Sequence, residues 1–551
     1  MWNKYRNIKN IVFVLVTFSL LQISFLLLTF ITQNLNNNTS FPFLESSWTY
    51  LPSIFLLLLF PFANLNKFSW DKFELLPVLK PLILIFTGIL FWEHFFSDYD
   101  YYLNTNLPIE KLILAISFLL ILYNPLFTLI FLIQSYLIWQ SHQFALGSIH
   151  FTDMRPVYQL ITLFISFSFI KRLQHIHTNV FLLLAISLHA SNYFIPGITK
   201  IELSPNGWEW VSFNQLSNLF VSSYLNGWLG FLDQNIVLKI SNLIAKAEFI
   251  ISPISLLIEL SGIMLLFHRR LSIFILIGFQ LLHLGIFFTS GIFFWSWMIL
   301  NFGLIFLIKS LPVDSLNYLY QKKNRILFIV LVLISPILFQ PSALGWWDGN
   351  LNTTYDFILT TKNQDKIKFN RNDFGPYDMI FSQNRFYYTS DEKILNNTYG
   401  VILKDQKKYS KSLSFIFNNF IKPLLGINPK YFQNNGFEIY QQLENAENLN
   451  KIKQIVETNG KNQYNLDKKL QLENFLRQYF FNLNQTTIKN SWYNKLGAPY
   501  HIYDLSEKRF DGKEVIIRVE VFQSKFWYDK HENEIVNFEK RKIIDFYVEE
   551  N

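Results

Sequence analysis

No cysteine occurs among the 551 residues, which excludes disulfides, thiolate nucleophiles and cysteine-ligated metals and leaves the redox compartment open. Charge is scarce as well: Asp, Glu, Lys and Arg make up 16% of the chain, against about 25% in an ordinary soluble protein. No basic run is interleaved with base-stacking aromatics, and the segment after residue 340 has no Gly-rich phosphate loop, nucleophile elbow or metal-ligand spacing. Neither a metal nor nucleic acid is therefore an expected partner. What is abundant is hydrocarbon, with 51% hydrophobic residues and 58 phenylalanines. That composition belongs to a polytopic membrane protein whose first partner is the lipid bilayer. The net charge of +8 suits an anionic membrane surface.

Apolar stretches of near-spanning length recur at 10–32, 50–65, 78–96, 109–123, 125–141, 156–170, 178–196, 248–267, 271–289, 291–308 and 326–340. They predict an α-helical membrane bundle of about nine to eleven transmembrane helices. Asn124-Pro125 leaves open whether 109–141 is a hairpin or one kinked helix. The positive-inside rule places Lys4, Arg6 and Lys9, Lys67 and Lys72, Lys171 and Arg172, Arg269 and Arg270, and Lys322, Lys323 and Arg325 in the cytoplasm; all agree if 109–141 is a hairpin. The expected location is the inner (plasma) membrane, with a cytoplasmic N-terminus and a first segment retained as a signal anchor. Between Lys200 and Glu248 lies an aromatic, amphipathic stretch that reads either as an interfacial brace or as a lateral gate.

After residue 340 the composition turns to Asn, Lys, Asp and Tyr. Residues 1–340 are thus expected to form the transmembrane domain and 341–551 an extracytoplasmic soluble α+β domain. Helices are predicted near 410–424, 438–458 and 466–483, and alternating strands over Glu514 to Val521 and Lys542 to Val548.

Ionisable groups inside apolar runs are costly and mark function by default. They are few: Glu93, His94, His142, His189, Glu259 and His283, with Lys200 at the end of one helix. An amine near hydrocarbon loses hydration and can act as a base near neutral pH, although a lysine at a helix end also snorkels to the headgroups. Glu259 needs a buried donor or a proton, and pairing with an Arg, Lys or His meets that need. His189 and Lys200 share a face but stand about 16 Å apart along the axis, so they cannot touch.

Three segments carry a resemblance to the vitamin K-dependent γ-carboxylase-like, or horizontally transferred transmembrane (HTTM), domain family. Tyr193 to Lys200 with Trp208 following is similar to the family's aromatic-glycine-lysine run. Leu256 to Gly262 and Phe279 to His283, with Gly291-Ile292-Phe293, resemble its acidic and histidine helices. Gln140-Ser141-His142-Gln143 resembles the position of the carboxylase's active-site histidine. The likeness covers residues 80–310, and here Pro196 and Thr199 depart from the pattern. It implies Lys200 as the base that deprotonates reduced vitamin K or a menaquinol-type quinone, with O2 and CO2 as co-substrates and Glu of a protein or peptide at the extracytoplasmic face as acceptor. His142 would support the carboxylation chemistry, and His283, Glu259 and Trp208 the quinone pocket. Two other classes stay open: a non-enzymatic anchor that presents the C-terminal domain, and a transporter, for which neither repeat nor chain of buried acids is seen.

Overall fold

The computed structural model describes residues 2–37, 49–60, 65–142, 154–203, 207–342, 344–395, 400–402, 435–486, 494–506, 510 and 512–548. The apolar N-terminal part folds as helices: α1 (Trp2–Asn37), α2 (Leu51–Leu59), α3 (Leu76–Phe95), α4 (Pro108–Tyr123), α5 (Phe127–Ser141), α6 (Arg155–Leu173) and α7 (Thr178–Leu203). They are followed by α8 (Glu209–Phe213), α9 (Leu216–Leu225), α10 (Gln234–Leu260), α11 (Arg269–Ser290), α12 (Trp295–Ser310), α13 (Val313–Leu319) and α14 (Lys322–Leu333).

Four of these are long and apolar enough to cross a membrane: α1 through its Ile8–Phe25 segment, α3, α7 and α11. A fifth is reached when α12 and α13, bent by 118°, are taken as one broken span. Others fall short of the ~20 residues a crossing needs, as α4 with 16 and α5 with 15 do. α4 and α5 pack against each other as a hairpin; at the break Asn124 accepts from Leu126 N and its amide donates to the Leu65 carbonyl. α10 begins at Gln234, well before the expected 248, because Asp233 caps it by accepting from Asn235 N and its first turns are amphipathic.

α7 is the hub, with 94% of its apolar window buried against α6, α10 and α14. Glycine lets its neighbours come this close. A Cβ on Gly262 would lie 2.9 Å from the Ala190 carbonyl oxygen, and one on Gly197 would lie 3.0 Å from the Leu260 side chain.

The helix ends sort by charge. Glu74, just before α3, accepts two hydrogen bonds from Lys171 at the end of α6 and one each from the backbone N–H and hydroxyl of Thr178 at the start of α7. Arg269, opening α11, donates to the Lys309 carbonyl at the end of α12, and Ser272 meets Tyr320 just before α14 at 2.8 Å. The C-terminal region sits at the other end: Gly345 packs on Thr199 near the end of α7, and Phe293, after α11, donates to the His501 carbonyl.

In that region β1 (Trp347–Asp348), β2 (Leu351–Thr361) and β3 (Lys366–Phe369) precede β4 (Lys393–Ile394), β5 (Val401–Ile402), β6 (Lys461–Asn462), β7 (Ile516–Asp529) and β8 (Glu534–Tyr547). The main sheet is antiparallel in the order β3-β2-β7-β8. The helix Leu466–Gln485, capped by Asn465, presents Leu472, Phe475, Leu476, Tyr479, Phe480 and Leu483 at helical spacing, and these share one core with Phe357, Phe369, Val519 and Ile544 of the sheet. The expected helix over 438–458 divides into Asn435–Glu444 and Leu449–Asn459, with Asn448 capping the second. The expected 410–424 helix lies outside the described residues.

Arg371, 2% exposed, clamps the two regions. It pairs with Asp504 at 3.4 Å and donates to Asn226 of the bundle, while Asp504 lies against Gly227, where a Cβ would meet its carboxylate at 2.3 Å. Burial works against the Asp504 carboxylate, but the Arg371 charge and hydrogen bonds from Ser506 and the Arg371 N–H hold it below the usual range. Arg371→Ala strands that carboxylate, so it is expected to cost about 3–5 kcal/mol. Limited proteolysis should then release residues beyond 345 from an otherwise helical protein; an unchanged cleavage rate would show that the pair does not hold the junction.

Candidate functional site

Lys200 occupies the last turn of α7 and Glu259 the last turn of α10. The close approach at Gly197 brings these turns together, and the amine donates to both carboxylate oxygens, at 2.5 and 2.6 Å. The two side chains are 15% and 9% exposed, so this is a buried ion pair. Glu259 thus finds the basic partner its position demands. The ring of Trp210 lies 5.2 Å from Lys200 Nζ, an arrangement that stabilises the ammonium. Trp208, expected beside the pocket, is instead 61% exposed; Trp210, two positions on in α8, turns inward and donates to the Trp346 carbonyl.

Beyond Trp346 lies Asp348, whose carboxylate accepts from Asn214 and Trp346. Burial pushes its carboxyl up to about 6, although those hydrogen bonds and the Lys200 charge pull it down. Lys200, Glu259 and Asp348 therefore form a charged group where α7, α8, α10 and β1 converge.

Deeper in the bundle runs a second polar chain. His189 Nε2 donates to Asn301 Oδ1 at 2.7 Å, Asn301 Nδ2 donates to the Tyr193 hydroxyl at 2.9 Å, and that hydroxyl meets His283 Nε2 at 2.7 Å. With the Asn301 amide so oriented, the Tyr193 hydrogen is left to His283 Nε2, which places the His283 proton on Nδ1. Neither histidine Nδ1 has a hydrogen-bond partner among the described residues. Tyr193 also stacks on Phe279, centroids 3.5 Å apart, and meets Trp297 edge-on. Lys200, Tyr193 and His189 thus sit along α7, with Glu259, His283 and Asn301 supplied from α10, α11 and α12.

His142 is held elsewhere. Its Nδ1 meets Asp100 Oδ2 at 3.0 Å, and the same oxygen accepts from the Tyr377 hydroxyl at 2.9 Å. The structure therefore joins Lys200 to Glu259 and brings His283 to Tyr193, while His142 is bound to partners that sequence reasoning did not single out. Glu93 and His94, read as an interfacial polar pair, line a cavity of about 410 Å³, and His94 bonds the Tyr158 hydroxyl at 2.8 Å.

Comparison with family models, curated proteins and solved structures finds no match.

Two outcomes follow from this geometry. Removing one partner of a buried pair leaves a bare charge, so Lys200→Met and Glu259→Gln should each cost about 3–5 kcal/mol, while the double variant recovers most of the loss. Thermal unfolding of the four proteins in detergent provides the cycle, and additive losses would show that the pair is not coupled. For Asp348 the folded state binds a proton that the unfolded chain releases near pH 4. Its contribution is complete below that pH and falls by about 2–3 kcal/mol as pH rises through 6. Asp348→Asn should abolish that slope in the unfolding midpoint between pH 4 and 7; an unchanged slope would assign it to another group.

Proposed function

We propose that the protein is an integral membrane enzyme of γ-carboxylase-like (HTTM) type, in which Lys200 is the base that takes a hydroxyl proton from a reduced quinone. The observation that carries this reading is the buried Lys200–Glu259 pair on the helix that also holds the Tyr193–His283 chain. In an apolar interior an amine and a carboxylate at hydrogen-bond distance can exchange the shared proton, because the neutral pair avoids burying two charges. Glu259 holds the proton that Lys200 releases, Lys200 Nζ accepts one from the bound hydroxyl, and Trp210 steadies the resulting ammonium. The surroundings support such a ligand through the aromatic residues along α7, Trp210 at Lys200 and Tyr193 stacked on Phe279 deeper in; His189 and His283, whose Nδ1 atoms have no hydrogen-bond partner among the described residues, lie about two to three turns from Lys200 and border that deeper part. When bound, a reduced quinone would supply the electrons and O2 the oxidant, with CO2 and a protein or peptide Glu as the remaining substrates. His142, oriented by Asp100, serves the acceptor side.

The basic ends of α6, α11 and α14 lie away from the C-terminal region, which supports a cytoplasmic N-terminus, an extracytoplasmic C-terminal domain and residence in the plasma membrane. In this reading the shorter apolar helices join the four or five longer ones in about nine to eleven crossings.

A second reading, a membrane anchor presenting the C-terminal domain, draws support from the same pair: with both carboxylate oxygens on one amine, and Gly345 packed on Thr199, it acts as a structural clamp. The readings separate on one experiment, in which protein in lipid is incubated with reduced naphthoquinone, O2, labelled bicarbonate and a Glu-rich peptide. The enzyme reading expects quinone epoxide and labelled peptide from wild type and a loss of at least about a hundredfold in Lys200→Met. Absence of epoxide from folded wild-type protein, across several quinones, selects the anchor.

A further inference from the structure

The 410 Å³ cavity lies apart from Lys200, between the ends of α3 and α5, the start of α12 and two segments of the C-terminal region, 375–379 and 495–503. Its charged lining is asymmetric. Glu93, Asp98 and Asp378 contribute three carboxylates, and among the described residues Lys495 is the one lysine of the lining, with Lys111 behind Asp98, donating to the Ser97 carbonyl. Trp139, Trp295 and Tyr500 supply aromatic walls. Carboxylates set among aromatic rings are the recognition chemistry of an ammonium group, which gains both ion pairing and the attraction of the ring faces. A nearby lysine suits a phosphate. Position adds a second constraint: Glu93 and His94 close the apolar run of α3, and Trp295 opens that of α12. If these helices cross the membrane, the cavity sits at headgroup depth, where tryptophan and tyrosine concentrate.

We propose that this cavity seats a zwitterionic phosphoethanolamine group, ammonium toward Glu93, Asp98 and Asp378 and phosphate toward Lys495. The site is independent of the quinol chemistry, and its lipid source rests on the membrane reading of α3 and α12. Both roles are filled at once only by a ligand with a cation and an anion a few bonds apart, which a simple amine or a simple phosphate lacks.

The test uses the full chain, purified and delipidated in detergent or reconstituted into vesicles. Tryptophan fluorescence titration with soluble phosphoethanolamine should saturate, and glycerol phosphate, which lacks the ammonium, should bind at least about tenfold more weakly. Asp378→Asn and Lys495→Gln should each weaken phosphoethanolamine by about tenfold. Vesicles of phosphatidylethanolamine against phosphatidylglycerol identify the source. Preferential retention of the first by wild type, lost in the same two variants, marks a lipid headgroup; saturation by soluble phosphoethanolamine with no lipid preference marks a free metabolite and refutes the headgroup depth of α3 and α12. Should Asp378→Asn fail to fold, Lys495→Gln and the glycerol phosphate comparison decide. Folded wild-type protein that binds neither form, or binds glycerol phosphate equally well, overturns the proposal.

Discussion

Charge buried in hydrocarbon governs this molecule. A lone carboxylate at Glu259 would be driven to take up a proton or to exclude helix packing altogether; the amine of Lys200 allows α7 and α10 to close instead. Gly197 has to be small for the same reason, since any side chain there would press on Leu260 and Glu259 and separate the two charges. The fold around α7 repeats this logic deeper down, where His189, Asn301, Tyr193 and His283 satisfy one another across α7, α11 and α12. Without that chain, four polar side chains would stand unpaired among phenylalanines.

The same economy fixes the C-terminal region to the helices. Polar atoms meet across the junction at Arg371 with Asn226, Asn214 with Asp348, Asn218 with Glu444 and Asn352 with Ser222. Asparagine is frequent in this role because its amide both donates and accepts, so one side chain can serve two partners on opposite sides of a boundary. Asn214 uses both functions on a single residue across the boundary: its amide nitrogen donates to the Asp348 carboxylate while its oxygen accepts from the Asp348 N–H.

Rarity made part of the site legible in the sequence. Glu259, His283 and Lys200 stand out because ionisable residues in apolar runs are few, and Glu259 calls for a basic partner, but which Arg, Lys or His supplies it is not legible in the sequence. The same rule applied to uncharged polar residues would have found Asn301, set between Leu300 and Phe302 within an apolar helix. Tyr193 lies inside the aromatic-glycine-lysine run, but nothing in its spacing assigns it a hydroxyl partner. Asp100 and Tyr377 were beyond reach, since they meet His142 only through contacts 42 residues away and across the junction. The choice between Trp208 and Trp210 turned on which face of a five-residue helix points inward, which hydropathy does not settle. The long hairpin of β7 and β8 was visible as alternation, although both strands extend well past the segments that showed it.

The turn between α11 and α12 belongs to both regions of the protein. Ile292 bridges Ile502 as in a sheet, and Phe293 donates to His501, so four residues of helix connection are stitched to the strand-like segment that also walls the 410 Å³ cavity. α11 carries His283 and α12 carries Asn301, the two residues that grip Tyr193 from either side. That stitch ties the C-terminal region to the one turn shared by the two helices whose His283 and Asn301 meet Tyr193. Trp228 holds the same turn from the bundle side, packing on Gly291 and donating to the Phe288 carbonyl, so the connection between the two helices is clasped by both regions at once.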